Sequence, residues 1–174
     1  MRIKLCWAVF FIPLFLCISC TSVVVKPDIA GQEGRNLILK GKLSFDGNRA
    51  YLPATVCHSD DSQIGIAYEY KVFYDGTPLN REIISAFLPT TWLGVPTGGD
   101  DVLAVAKLVV SKKDREIKTY SAEAMVSKGR ILFTGGTDKT EMRRVALQAI
   151  KENLESQMKN DYEMLSKLMT EEKL

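Results

Sequence analysis

Cys57 and His58 are adjacent, with Asp60 and Asp61 close behind. A thiol, an imidazole and carboxylates are the parts of a nucleophilic site, in which a base takes the proton from sulfur and a third group orients the base. Their spacing argues against that use. Neighbours in an extended segment point to opposite faces, so Cys57 and His58 do not meet without a special turn. A metal clip fails too, because His58 is the chain's one histidine and, beyond Cys57, no soft ligand lies near it in sequence. Gly98 to Asp101 offer two carboxylates, short of the six to eight oxygens that calcium takes, and read as a solvated turn. The stretch GGTDKT at 135–140 invites a phosphate-loop reading. Aligned on Lys139 and Thr140, that pattern needs glycine at 133 and 138, where the chain has Phe133 and Asp138. Asp138 followed by Glu141 is instead a helix-capping arrangement. The residues thus predict no catalytic set, no cofactor site and no metal site.

Two aromatic features are open to a binding role. Tyr68, Tyr70 and Tyr74 share one side of a period-two run. That row is either a stacking platform for sugars or bases, or a sheet face with its hydroxyls at the edge of the core, and the second reading is preferred. Phe87, Trp92 and Leu93 lie in a Pro-, Gly- and Thr-rich stretch. They either touch a membrane or a partner, or plug the core.

Cys17 and Cys20 carry a different chemistry. Arg2 and Lys4 open the chain without an acid, and Leu5 to Ile18 are fourteen residues without a charge, broken by Pro13. A membrane-spanning helix needs about 20 apolar residues, so this is a secretory signal over 1–19 rather than a span. Leu16-Cys17-Ile18-Ser19-Cys20 resembles the lipobox of bacterial lipoproteins, with Ser19 as the small residue before the cysteine and Ile18 as the aliphatic one before that. Cys17 stands where leucine is usual, with Leu16 adjacent. The resemblance implies cleavage before Cys20 and lipidation of its thiol and amine, hence a membrane attachment through Cys20. Three acyl chains at about 0.8 kcal/mol per buried CH₂ make such attachment effectively permanent. Thr21, rather than aspartate, after the lipid site resembles outer-membrane cargo in enterobacterial-type sorting. Of the four cysteines only Cys57 then stays free, and no disulfide within the chain is possible.

The chain has 23 basic and 21 acidic residues; removing 1–19 takes two basic residues and no acid, leaving 21 of each in 155 residues. A balanced chain without a basic block lacks the footprint of a nucleic-acid binder. Its length suits one domain with its own core.

The elements that would position these residues follow from patterning. Residues 20–34 have turn formers and no sustained period and read as a tether, reaching at most roughly 46 Å. Residues 35–174 read as one domain. Leu37, Leu39, Gly41, Leu43 and Phe45 alternate with polar residues as a half-buried strand, with 49–56 returning as its partner, held to an edge by Pro53. Ile64 to Tyr74 is the clearest strand. Residues 79–88 have helical spacing and stop before Pro89. Residues 102–111 and 117–127 read as a hairpin joined by a charged five-residue connection, and 130–134 as a short strand. A long helix from about 138 to 169 carries Met142, Ala146, Ile150, Leu154, Met158, Tyr162, Leu165 and Met169 on one stripe. At about 48 Å it exceeds a domain some 30–40 Å across, so it either breaks near Lys159-Asn160-Asp161 or projects towards a partner.

The order predicts an α+β fold, an antiparallel sheet with a short helix and a long C-terminal helix packed on one face. The lipobox together with the closing helix at 143–158, RRVALQAIKENLESQM, is similar to small envelope lipoproteins with a TolB N-terminal-like domain or of the curli-secretion type. That similarity implies no site residues. The functional expectation is a non-enzymatic lipoprotein of the cell envelope, probing a protein partner or a second copy through the C-terminal helix; the alternative is a periplasmic module that binds peptidoglycan or another glycan.

Overall fold

A computed structural model of the chain describes residues 21–29, 37–74, 99–129 and 138–170. The signal at 1–19, Cys20, the helix at 79–88, the stretch around Trp92 and the strand at 130–134 lie outside the described residues.

Among the described residues six strands form one sheet: β1 (Thr21–Lys26), β2 (Leu39–Ser44), β3 (Val56–His58), β4 (Ile64–Tyr74), β5 (Gly99–Lys112) and β6 (Arg115–Gly129), in the spatial order β1-β6-β5-β4-β2-β3. Two helices follow, α1 (Lys139–Asn160) and α2 (Tyr162–Thr170). β1, β6, β5 and β4 are antiparallel neighbours, but β2 runs parallel to both β4 and β3. The expected antiparallel sheet is therefore corrected to a mixed one, and the fold is mixed α and β.

The correction has a local cause. Instead of turning back as a hairpin at Asp46-Gly47-Asn48, the chain from Phe45 to Thr55 crosses over, as parallel strands require. A single 3₁₀ turn, Arg49–Tyr51, starts where the Asn48 side chain accepts from the Ala50 N–H at 3.0 Å. α1 holds this crossover down: Glu155 Oε1 accepts from the Ala54 N–H at 2.6 Å, and Lys151 Nζ donates to the Ala50 carbonyl at 3.2 Å. Pro53, which cannot donate to a ladder, is buried in the crossover rather than in the strand.

β5 and β6 make a long hairpin with a tighter turn than the charged connection predicts. Only Lys113 and Asp114 lie outside the strands, both at positive φ, 50° and 61°. Two successive positive φ values mark a type I′ turn, whose twist matches that of the flanking strands.

One face of the sheet carries the main core. Val102, Ala104, Ala106, Leu108 and Val110 of β5 and Tyr120, Ala122, Ala124 and Val126 of β6 are buried there, against Met142, Ala146, Leu147, Ile150, Leu154 and Met158 of α1. The four alanines at the centre of the sheet leave room for the helix to come close. Gly41 does the same between strands: a β-carbon there would lie 2.7 Å from Ile66 Cδ1 and 2.9 Å from the Ile64 carbonyl oxygen.

The single long helix is corrected to two. The Asp161 N–H donates to the Gln157 and Lys159 carbonyls, and the Asp161 carbonyl accepts from the Leu165 N–H, so Asp161 ends α1 and begins α2. Asn160 and Asp161 are weak helix residues because their side chains compete for backbone groups. Lys118 Nζ holds the Asp161 carboxylate at 3.0 Å. The break turns Leu165, fully buried, and Leu168 into the main core.

The tether expected over 20–34 is corrected over its first residues only; residues 30–36 lie outside the described residues. Thr21–Lys26 form an edge strand paired residue for residue with Lys128 to Glu123 of β6. Asn153, buried on α1, donates to the Pro27 carbonyl at 2.7 Å and fixes the exit of that strand.

Candidate functional site

β3 is the outer edge of the sheet, and it exposes Cys57 and His58. β3 ends at His58, so the Leu43 N–H of β2 has no strand acceptor beyond it. The imidazole fills that place: Nδ1 accepts from the Leu43 N–H at 3.2 Å, and Nε2 lies 3.1 Å from Asp60 Oδ1. Both ring nitrogens are thereby committed, one as acceptor and one as donor. The Cys57 thiol contacts the His58 carbonyl oxygen at 3.7 Å and not the ring. The structure brings His58 and Asp60 together but gives Cys57 no base. Asp61 has no part in the arrangement.

The tyrosine row faces the main core. Tyr68 is 3% exposed, and its hydroxyl donates to the Tyr51 carbonyl at 3.1 Å. Phe45 packs with ring centroids 5.0 Å from Tyr68 and 6.1 Å from Tyr70, and Tyr51 meets Tyr70 edge-on at 6.0 Å. The rings cover one another under the crossover. Burial, with Tyr70 nearby, pushes the Tyr68 hydroxyl well above the ordinary tyrosine range.

Asp138 caps α1, accepting from the Thr140 and Glu141 N–H groups at 2.9 and 3.3 Å, so its carboxylate occupies the place a phosphate would need. Glu141 does not complete a capping box. It binds Arg144 with both oxygens, at 2.6 and 2.7 Å, and that hydrogen bonding holds its carboxyl below the usual range. Gly99 to Asp101, read as a turn, instead open β5. Among the described residues no group of three or more His, Cys, Asp or Glu is placed to hold a metal ion, and no helix is long and apolar enough to cross a membrane.

Sequence reasoning missed a second, smaller core on the other face of the sheet. Leu103 is 1% and Met125 7% exposed there, with Phe73 and Val105 packed against them. The signal was present. In VLAVAKLVV, residues 102–110, Leu103, Val105 and Val109 make the second face of β5 apolar as well, with Lys107 as its one charge, whereas a strand with one solvated face alternates cleanly.

Cys20 itself is not described, but its neighbour is placed. Thr21 opens β1 opposite Lys128, and Lys128 stands opposite Asp100. That end of the sheet is the far end from the Lys113–Asp114 turn. No family model matches the chain, and neither a curated protein nor a solved structure matches it.

Proposed function

We propose that the chain is a lipid-anchored protein of the bacterial cell envelope, attached through Cys20, facing the periplasm and serving as a non-enzymatic accessory or assembly factor. The observation that carries the reading is the lipobox at Leu16–Cys20, directly ahead of the first strand of the domain. Thr21 after the lipid site favours the outer membrane. The bonded imidazole of His58 and the isolated thiol of Cys57 favour a role without nucleophilic chemistry. A partner protein or a second copy would meet the helices on their solvent side, where Arg143, Gln148, Glu163 and Lys167 are exposed. A glycan module built on the tyrosine row has less support, because stacking needs an open ring face and Tyr68 is buried.

The test is metabolic labelling with an alkyne fatty acid. Wild type should be labelled and Cys20→Ser should not. Equal labelling of the two would end the lipoprotein reading, and recovery of the labelled protein in inner-membrane fractions would end the outer-membrane one.

A further inference from the structure

β3 covers β2 only from Leu39 to Gly41, whereas β2 runs on to Ser44. Backbone groups that face one edge of a strand recur at every second residue. On this edge the Leu39 N–H donates to the Thr55 carbonyl at 2.7 Å, and the Gly41 carbonyl accepts from the Ser59 N–H at 2.9 Å. The next outward donor is the Leu43 N–H, and its acceptor is a side chain, Nδ1 of His58, at 3.2 Å. The imidazole thus supplies the rung that β3 is too short to give.

That rung depends on the ring's protonation. A neutral imidazole has one nitrogen free to accept, and an imidazolium carries hydrogen on both. Here Nε2 faces Asp60 Oδ1 at 3.1 Å, so the neutral ring donates to Asp60 and accepts from Leu43. A proton added at Nδ1 sets N–H against N–H. Asp60 pulls the other way, because a carboxylate bonds a charged donor more strongly than a neutral one. Both partners can be kept only while the ring is neutral. Other charges stand further off. Asp61 has no part in the arrangement. Lys40 and Lys42 alternate onto the opposite face of β2 from Leu43. β4 brings apolar Ile64 and Ile66 to this side of the sheet, and the charged residues described on α2, Glu163 and Lys167, are exposed.

We propose that His58 is a proton-controlled seal on this edge of the sheet. Neutral, it closes β2 at Leu43. Protonated, it stays with Asp60 and turns away, and the Leu43 N–H opens to solvent. Unpaired N–H groups along a sheet edge are what invite pairing with another chain, so the seal matters most where the strand that should cover the edge has ended.

The test is nuclear magnetic resonance on the ¹⁵N-labelled full chain in phosphatidylcholine nanodiscs, titrated across the range of about pH 8 to 5 in which histidine changes charge. At the alkaline end a scalar coupling is expected across the N–H···N bond, between the Leu43 amide nitrogen and His58 Nδ1. On acidification the coupling should vanish. Exchange of the Leu43 amide with solvent, corrected for its intrinsic pH dependence, should rise by about fivefold, as for loss of one hydrogen bond, with the same midpoint as the ring signals. In His58→Gln the corrected exchange should be flat with pH. In Asp60→Asn the charged ring loses its partner, so the ring's midpoint should move to lower pH and that of Leu43 should move with it. Asp60 is 90% exposed, so this variant serves if His58→Gln does not fold. Absence of the coupling at the alkaline end, corrected Leu43 exchange that stays flat while the ring titrates, or a Leu43 midpoint that stays put while the ring's moves in Asp60→Asn would overturn the proposal.

Discussion

The Tyr68 hydroxyl donates to the Tyr51 carbonyl, whereas the Tyr120 hydroxyl is buried with no bond of good geometry, although the Asp161 carboxylate is close enough to act on it. The two phenols should therefore respond oppositely to loss of one oxygen. Tyr68→Phe leaves the Tyr51 carbonyl without its donor and should cost about 1 kcal/mol. Tyr120→Phe removes an unsatisfied polar atom and should be neutral or stabilising, and the phenyl ring still lies under Lys118, whose Nζ is 5.7 Å from the ring centre. Chemical denaturation of both variants at neutral pH checks the contrast. Burial pushes both hydroxyls up, with Tyr70 adding at Tyr68 and Asp161 at Tyr120. The folded protein thus holds these protons more tightly than the unfolded chain, whose tyrosines titrate near pH 10. Their contribution is complete below about pH 10 and is lost as pH rises beyond it, because the unfolded state then binds fewer protons. Each Phe variant should show a shallower alkaline loss of stability than wild type.

Elements differ in how far they can be read from their own residues. β4 is legible because Ile64, Ile66 and Tyr68 are buried and Ala67, Glu69 and Lys71 are exposed, a period that no helix satisfies. β1 is not, because an exposed edge strand needs no apolar alternation and Thr21–Val24 are all exposed. The parallel placing of β2 and β3 is also invisible locally. It depends on Glu155 and Lys151, about a hundred residues further on, bonding the crossover. As for the candidate site, the separation of Cys57 from a base was legible from strand periodicity, while the second, smaller core depends on pairing between β4, β5 and β6. The C-terminal break was foreshadowed by Asn160 and Asp161, but its purpose shows only in the packing. Leu165 and Leu168 of α2 lie in the main core. Deleting residues 162–174 should remove about 3–6 kcal/mol of apolar burial and lower Tm by something like 10 °C for a domain of this size. Calorimetry on dilute protein checks this; an unchanged Tm would mean that α2 serves a surface rather than the core.

At the scale of the whole molecule, the junction between Cys20 and β1 fixes an orientation if Cys20 carries lipid. Thr21 is already bonded into the sheet, and six residue pairs hold β1 to β6. No free chain would then separate the anchor from the domain. The end of the sheet bearing Thr21, Lys128 and Asp100 must then rest at the bilayer, and β4 ends and β5 begins at that same end, since Tyr74 pairs with Val102 and Gly99 with Gly129. From Lys128 to Arg115 the strand runs thirteen residues, roughly 40 Å. A sheet standing upright would carry the Lys113–Asp114 turn that far from the headgroups, and a sheet lying flat would not. A cysteine placed at Asp114 in a Cys57→Ser background and labelled with a donor dye distinguishes the two. Energy transfer to acceptor lipids should be weak at 114 and strong from the same dye at Ser22, and inserting a flexible Gly/Ser segment between Cys20 and Thr21 should weaken transfer at Ser22. Equal transfer from both positions would show that the domain lies along the membrane rather than standing on it.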